Sequence, residues 1–149
     1  MTKNEISKYM RLAISEAETA YNNNEIPVGA VLVSPMKEIF TSHNTGNSDS
    51  SPISHAELKV IQYATGKERY LTGWSLFVTL EPCPMCAGAI WLSRISEVYF
   101  GAYDIKAGAC GSVINVLPND DLNHRPLIFG GILEDECSLI LKEFFERKR

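Results

Sequence analysis

Between residues 75 and 101 the chain reads strand, helix, strand, and this unit constrains the fold more than any other feature of the sequence. Residues 75–80 (Ser-Leu-Phe-Val-Thr-Leu) and 97–101 (Glu-Val-Tyr-Phe-Gly) have strand composition, and residues 84–92 between them form a good helix opened by Pro84. Two strands joined by a helical crossover pair in parallel within one sheet. The flanking segments extend that unit. Ile6, Met10, Ala13, Ala17 and Ala20 recur every three or four positions and predict an amphipathic helix that ends at Asn22-Asn23-Asn24. The runs 28–33 and 39–44 flank Pro35-Met36-Lys37 and predict a hairpin, hence an antiparallel pair. Residues 45–52 read as a polar loop, 52–65 as a helix ending before Gly66, and 127–129 as a last strand. Leu133, Cys137, Ile140, Leu141 and Phe144 stripe a final helix, and the stretch between Gly101 and Leu127 is long enough for a second crossover. The expected fold is one α/β domain over residues 1–149, a mixed sheet with helices on both faces, with the strand order left open.

A chain of 149 residues suits one core, and 45% hydrophobic with 21% charged residues excludes disorder, collagen-like repeats and coiled coil. No apolar run approaches the ~20 residues of a membrane span. The opening Met1-Thr2-Lys3-Asn4-Glu5 lacks the apolar core of a secretory signal, so a cytoplasmic location is expected. The net charge of −4 is the wrong sign for a general nucleic-acid binder. Lys142, Arg147, Lys148 and Arg149 reverse the balance locally, beside Phe144 and Phe145. By composition alone that is a solvated helix end whose cations suit the dipole.

The chemistry concentrates at two predicted helix starts. Of the four cysteines, Cys83 and Cys86 form a close pair in Cys83-Pro84-Met85-Cys86, which in a reducing compartment points to metal or redox chemistry. On that motif alone the two readings are balanced. His55-Ala56-Glu57 at the other helix start favours the metal, because a catalytic zinc takes three N or S ligands and keeps a fourth position open. His55, Cys83 and Cys86 are therefore the candidate zinc ligands, and thiolates are favoured at helix N-termini. Cys110, Cys137, His43 and His124 could close the site as a fourth ligand, but none lies at a ligand-like spacing from Cys86, and Cys137 falls on an apolar stripe. Glu57 has two readings: a capping-box residue three after Ser54, or a proton carrier beside the metal. Zinc brings the pKa of bound water from 15.7 towards ~7, so an open site with an adjacent carboxyl suits hydrolytic replacement of an amine on an electron-poor ring carbon.

His55-Ala56-Glu57 with Pro82-Cys83-Pro84-Met85-Cys86 is the known signature of zinc nucleobase deaminases. Over residues 25–147 the chain resembles the bacterial tRNA-specific adenosine deaminases, which convert the first anticodon adenosine to inosine. The resemblance is carried by Glu25-Ile26-Pro27-Val28-Gly29-Ala30-Val31, His43-Asn44, Val78-Thr79-Leu80-Glu81-Pro82-Cys83 and Met85-Cys86-Ala87-Gly88-Ala89. Ser93-Arg94-Ile95, Gly101-Ala102, Asp104, Lys106, Gly108, Gly111, Ser112, Asn123-His124-Arg125 and Phe144-Phe145 extend it. It implies a five-stranded mixed sheet in a three-layer α/β/α fold, a homodimer with one zinc ion per subunit, and a pocket for a base splayed from the anticodon loop. It also implies that Glu57 shuttles protons, that Asn44 and the backbone of Ala56 hold the base, and that Val28 lies against its face. Asp104, Lys106 and Asn123 would touch the substrate nucleotides, and Phe144, Phe145 and Arg147 the flanking loop, since unpaired bases are read by stacking and by cations. Ile53-Ser54 stand where the family often has Thr-Ala, and the Cys-Pro-Met-Cys spelling is also frequent in guanine deaminases. A deaminase of free guanine or cytosine, and a non-catalytic zinc-stabilised RNA-binding module, are the competing readings.

Overall fold

The computed structural model describes residues 1–148; Arg149 of the basic C-terminus lies outside the described residues. Helix α1 (Lys3–Asn22) opens on a capping box in which Thr2 and Glu5 bond reciprocally. Its buried face carries Tyr9, Met10, Ala13, Ile14, Ala17 and Ala20, the predicted stripe. Strands β1 (Gly29–Val33) and β2 (Ile39–His43) form the expected antiparallel hairpin. The helix α2 (Ala56–Thr65) follows, then β3 (Ser75–Leu80), α3 (Pro84–Ser93), β4 (Glu97–Ala102), β5 (Leu127–Phe129) and α4 (Glu134–Arg147).

The sheet order is β2-β1-β3-β4-β5. β1 pairs antiparallel with β3, while β3–β4 and β4–β5 are parallel, so the five-stranded sheet is mixed. Side chains alternate between two cores, as the period of a strand requires. Ala30, Leu32, Leu76, Val78, Val98 and Phe100 pack with α2 and α3 residues such as Val60, Ala64 and Ile90. Val31, Val33, Phe77 and Tyr99 pack with α1 and with Cys137 of α4. Across that second face Phe77, Tyr99 and Phe129 occupy matched register positions on adjacent strands, with ring centroids 4.8 and 5.0 Å apart. Gly29 lets α1 approach the sheet: a Cβ there would stand 2.0 Å from the Ala13 carbonyl oxygen.

One expectation is corrected. The helix predicted from residue 52 begins at Ala56, because residues 52–55 belong to the loop: Thr45 donates to the Ser54 carbonyl at 3.1 Å, and His55 is extended at φ −79°, ψ 147°. The second crossover is present: β4 and β5 are parallel, and the connection between them contains no α-helix. The pairing pattern also brings functional segments together. The end of β3 lies beside the start of β1 (Ala30↔Val78), and the start of β1 lies beside the end of β2 (Gly29↔His43). Open α/β sheets bind ligands outside the carboxyl ends of their parallel strands, and here that is the end carrying Cys83, Val28 and Asn44.

Candidate active site

His55 is the N-cap of α2, Cys83 the N-cap of α3, and Cys86 sits in the first turn of α3. Pro84 occupies the first position of α3, where its missing N–H has no helical acceptor to lose. The positive ends of two helix dipoles therefore converge on one place and favour anionic sulfur. The nitrogen and the two sulfurs lie within 4.8 Å of one another. His55 Nδ1 is 3.5 Å from Cys83 Sγ and 3.5 Å from Cys86 Sγ. Zinc bonds of about 2.0–2.1 Å to nitrogen and about 2.3 Å to sulfur, at tetrahedral angles, place N and S about 3.6 Å apart. The donor set and its spacing thus fit a zinc ion.

Electrostatics agree with ligation. The Cys83 thiol is drawn down to about 4 by hydrogen bonds from Cys86 and from the His55 ring, against the cost of burial. Cys86, which keeps the shared proton, is raised by that same contact and by burial, and its proton leaves when a cation arrives. His55 is raised, chiefly by its bond to Cys83. Burial pushes the carboxyl of Glu57 up to about 7; its main-chain hydrogen bond and His55 oppose this, while Cys83 adds to it. Glu57 is only 4% exposed.

The capping-box reading of Glu57 is not realised. With His55 as N-cap, Glu57 is the second residue of α2 rather than the third. The start of α2 is capped from elsewhere: the Ala56 amide donates to Asn44 Oδ1 at 2.8 Å. Asn44, Ala56 and His55 thereby meet beside a cleft of about 320 Å³ whose wall includes Ile26, Asn47, Ser51 and Ser54. That volume is at the small end for ligand sites. Val28 is buried in the core that also holds Ala56.

The four candidate fourth ligands are not in the donor group. His43 Nδ1 pairs with Glu16 at 3.1 Å, and His124 Nε2 meets the Ile95 carbonyl at 2.7 Å. Cys137 is buried under Gly101, and Cys110 is half-buried in the loop after β4.

The expected RNA contacts fall into two kinds. Phe145 is 48% exposed, and Lys106 is exposed. Phe144 is 3% exposed and packs edge-on against Tyr21 and Phe145, so direct stacking of its ring on RNA is corrected to a packing role. Arg147 lies over the Tyr21 ring at 4.2 Å and donates to the Tyr21 carbonyl at 3.3 Å. The Asp104 carboxylate caps its own turn, accepting from the amides of Lys106 and Ala107 at 3.0 and 3.1 Å. Asn123 Oδ1 accepts from Trp91 Nε1 at 3.1 Å. Sequence reasoning assigned no role to Glu25 or Glu81, two buried acids that adjoin the site. The available signal was an acidic residue at the end of an apolar strand run followed by proline, as in Leu80-Glu81-Pro82.

A mixed sheet carrying a His-Cys-Cys group and a buried glutamate at two helix starts defines a zinc-dependent hydrolytic deaminase. Residues 3–102 match the cytidine and deoxycytidylate deaminase zinc-binding region. The tRNA-specific adenosine deaminase of Bacillus subtilis (strain 168) is 45% identical, covering 100% of this chain and 92% of its own length. A solved structure from a study of A-to-I editing by tRNA:A34 deaminases at the wobble position superposes with a TM-score of 0.82 at 39% identity, over 90% of this chain and 99% of that one. A guanine deaminase from Nitrosomonas europaea, at 17% identity and a TM-score of 0.75, covering 93% of this chain and 83% of its own, shares the fold. The chain belongs to the zinc-binding cytidine and deoxycytidylate deaminase family and, within it, to the tRNA-specific adenosine deaminases. Among the described residues no helix is long and apolar enough to cross a membrane.

Proposed function

We infer that this chain converts adenosine to inosine at the first, wobble position of a tRNA anticodon, releasing ammonia. One observation carries the reading: three zinc-type donors, each sulfur 3.5 Å from the His55 nitrogen, with a buried carboxyl two residues after the histidine and a cleft of about 320 Å³ that His55 lines. A zinc ion held by His55, Cys83 and Cys86 supplies Lewis acidity and brings the pKa of water towards ~7.

The protein's own groups do the rest. Water oxygen bonds to C6 of the purine; Glu57 carries one water proton to the ring nitrogen and then the second to the departing amine, the C6–N bond breaks as the C6=O bond forms, and ammonia leaves. With a carboxyl poised near neutrality by burial, Glu57 can both accept and donate; a divalent cation beside it pulls in the opposite direction. Asn44 and the start of α2 hold the base, and Val28 backs it. Phe145, Lys106, Arg147, Asp104 and Asn123 border the path of the flanking nucleotides. The anticodon loop is already unpaired, which spares the unstacking energy of a duplex substrate.

The enzyme acts in the cytoplasm as a homodimer with one zinc ion per subunit. Leu92 on α3 and Ile105, Val113 and Ile114 after β4 are exposed apolar side chains that a second copy would cover. The decisive experiment offers the purified protein an anticodon stem-loop beside free guanine, cytosine and adenosine. Inosine in the stem-loop is expected; turnover of a free base alone would overturn the reading. Glu57→Gln is expected to lower turnover by about 10²–10⁴-fold with zinc retained, whereas unchanged phenotypes would indicate a non-catalytic module.

A further inference from the structure

Glu25 and Glu81 are each 2% exposed, and neither takes part in the ion pairs found among the described residues. Each carboxylate is instead satisfied by one loop. Glu25 Oε1 accepts the Asn47 amide at 2.7 Å, and Oε2 accepts the amide and hydroxyl of Ser48 at 2.9 and 2.8 Å. Glu81 Oε1 accepts the Asp104 amide at 3.1 Å and the Ser112 hydroxyl, while Oε2 accepts the amides of Cys110 and Ser112 at 3.0 and 3.1 Å. The second loop wraps its carboxylate closely: a Cβ on Gly108 would stand 2.5 Å from Glu81 Oε2.

A buried carboxylate without a counter-ion persists only where donors converge on it, and such charge-assisted bonds are the strong ones. Here the donors are loop amides, so what the charge stabilises is a loop shape. Glu25 precedes β1 and Glu81 follows β3, and the Ala30↔Val78 pairing places both at the end of the sheet that holds Cys83. The loop of residues 45–51 walls the cleft beside His55, and the loop of residues 104–112 carries Asp104 and Lys106. The two acids thus grip the two loops that border the site.

We infer that Glu25 and Glu81 are positioning residues that hold these two loops in the shape that receives the RNA, setting substrate affinity without touching the proton transfer. The substrate part of this inference rests on the function proposed above. It separates two tasks within one end of the sheet. Residues at the starts of α2 and α3 perform chemistry, and two carboxylates outside those helices shape what enters.

The test uses full-length, zinc-loaded Glu25→Gln and Glu81→Gln proteins, with Ser48→Ala and Ser112→Ala as milder variants that each remove one hydroxyl donor. A glutamine keeps the shape but replaces one acceptor oxygen with a donor facing the loop amides. Expected are faster hydrogen exchange at the Asn47 and Ser48 amides in the first variant and at Cys110 and Ser112 in the second. KM for an anticodon stem-loop should rise by about tenfold or more, with kcat little changed and zinc content unchanged. The serine variants should shift KM in the same sense by less, and they decide the matter if a glutamine variant does not fold. Unaltered exchange, or faster exchange with unaltered KM, would overturn the inference. So would a loss confined to kcat, or one that follows loss of zinc. If the wild-type protein does not act on the stem-loop, the proposed substrate falls, while the exchange rates still show whether the carboxylates hold the loops.

Discussion

Asn44 Oδ1 accepts the amide of Ala56 at 2.8 Å, joining the end of β2 to the first turn of α2. This single bond seats the helix that presents both His55 and Glu57. Its loss has two separable consequences. Asn44→Ala removes the acceptor and should cost about 1 kcal/mol, within the usual range for a lost helix cap. Asn44→Asp keeps the acceptor and the stability but lacks the amide donor available to a base. Thermal denaturation of both variants should show a drop for alanine only, while the deamination rate should fall for both; full activity in Asn44→Asp would remove Asn44 from base binding.

Zinc affinity should fall as the pH falls. In the metal-free protein the thiol of Cys86 and the ring of His55 both have raised pKa values, so each keeps a proton to higher pH than usual, and bound protons must leave before the ion is held. Protons and zinc therefore compete, and acid favours protons. Chelator competition at pH 8 and pH 6 reads this directly. Equal affinity at the two values would mean that these side chains are not the ligands.

Gly29 is expected to tolerate no side chain. The Cβ of Gly29→Ala would meet the Ala13 carbonyl oxygen at 2.0 Å and the Ala17 nitrogen at 2.6 Å, both backbone atoms of α1. The helix must move off the sheet, at about 3 kcal/mol or more for overpacking of this severity. Denaturant titration should show a large fall in the midpoint, and an unchanged midpoint would contradict the close approach of α1 to β1.

Phe144 and Phe145 should behave oppositely although they are neighbours. Phe144→Ala empties a site packed against Tyr21 and should lower stability by about 3–5 kcal/mol. Phe145→Ala leaves the fold intact and should weaken RNA binding by about 1–3 kcal/mol, the worth of one base–aromatic stack. Melting curves and filter-binding of a stem-loop distinguish the two. Equal stability losses would mean that Phe145 also belongs to the packing.

Much of the secondary structure was legible because it depends on local pattern. The stripe of α1 follows from a spacing of three to four residues, and the hairpin and the strand–helix–strand unit from short runs of strand composition with turn or helix residues between them. The start of α2 was not, because nothing local ends the loop of residues 45–55: its boundary is set by Asn44, twelve residues away from Ala56. The crossover between β4 and β5 was legible from its length, but the path of its loop was not, since that depends on the carboxylate of Glu81 just after β3.

The zinc triad and its adjacent glutamate could be named from the linear chain because each half of the motif is short and sits at a helix start, where backbone geometry presets its direction. The chain alone also determined that the sheet would contain a parallel pair. Only the tertiary structure decided that Glu57 is buried beside the sulfurs, that Phe144 faces inward, and that Glu25 and Glu81 clasp loops rather than cations. Those outcomes depend on which groups meet across the sheet. Burial and hydrogen-bond partners are properties of assembled segments, and no spacing along one segment encodes them.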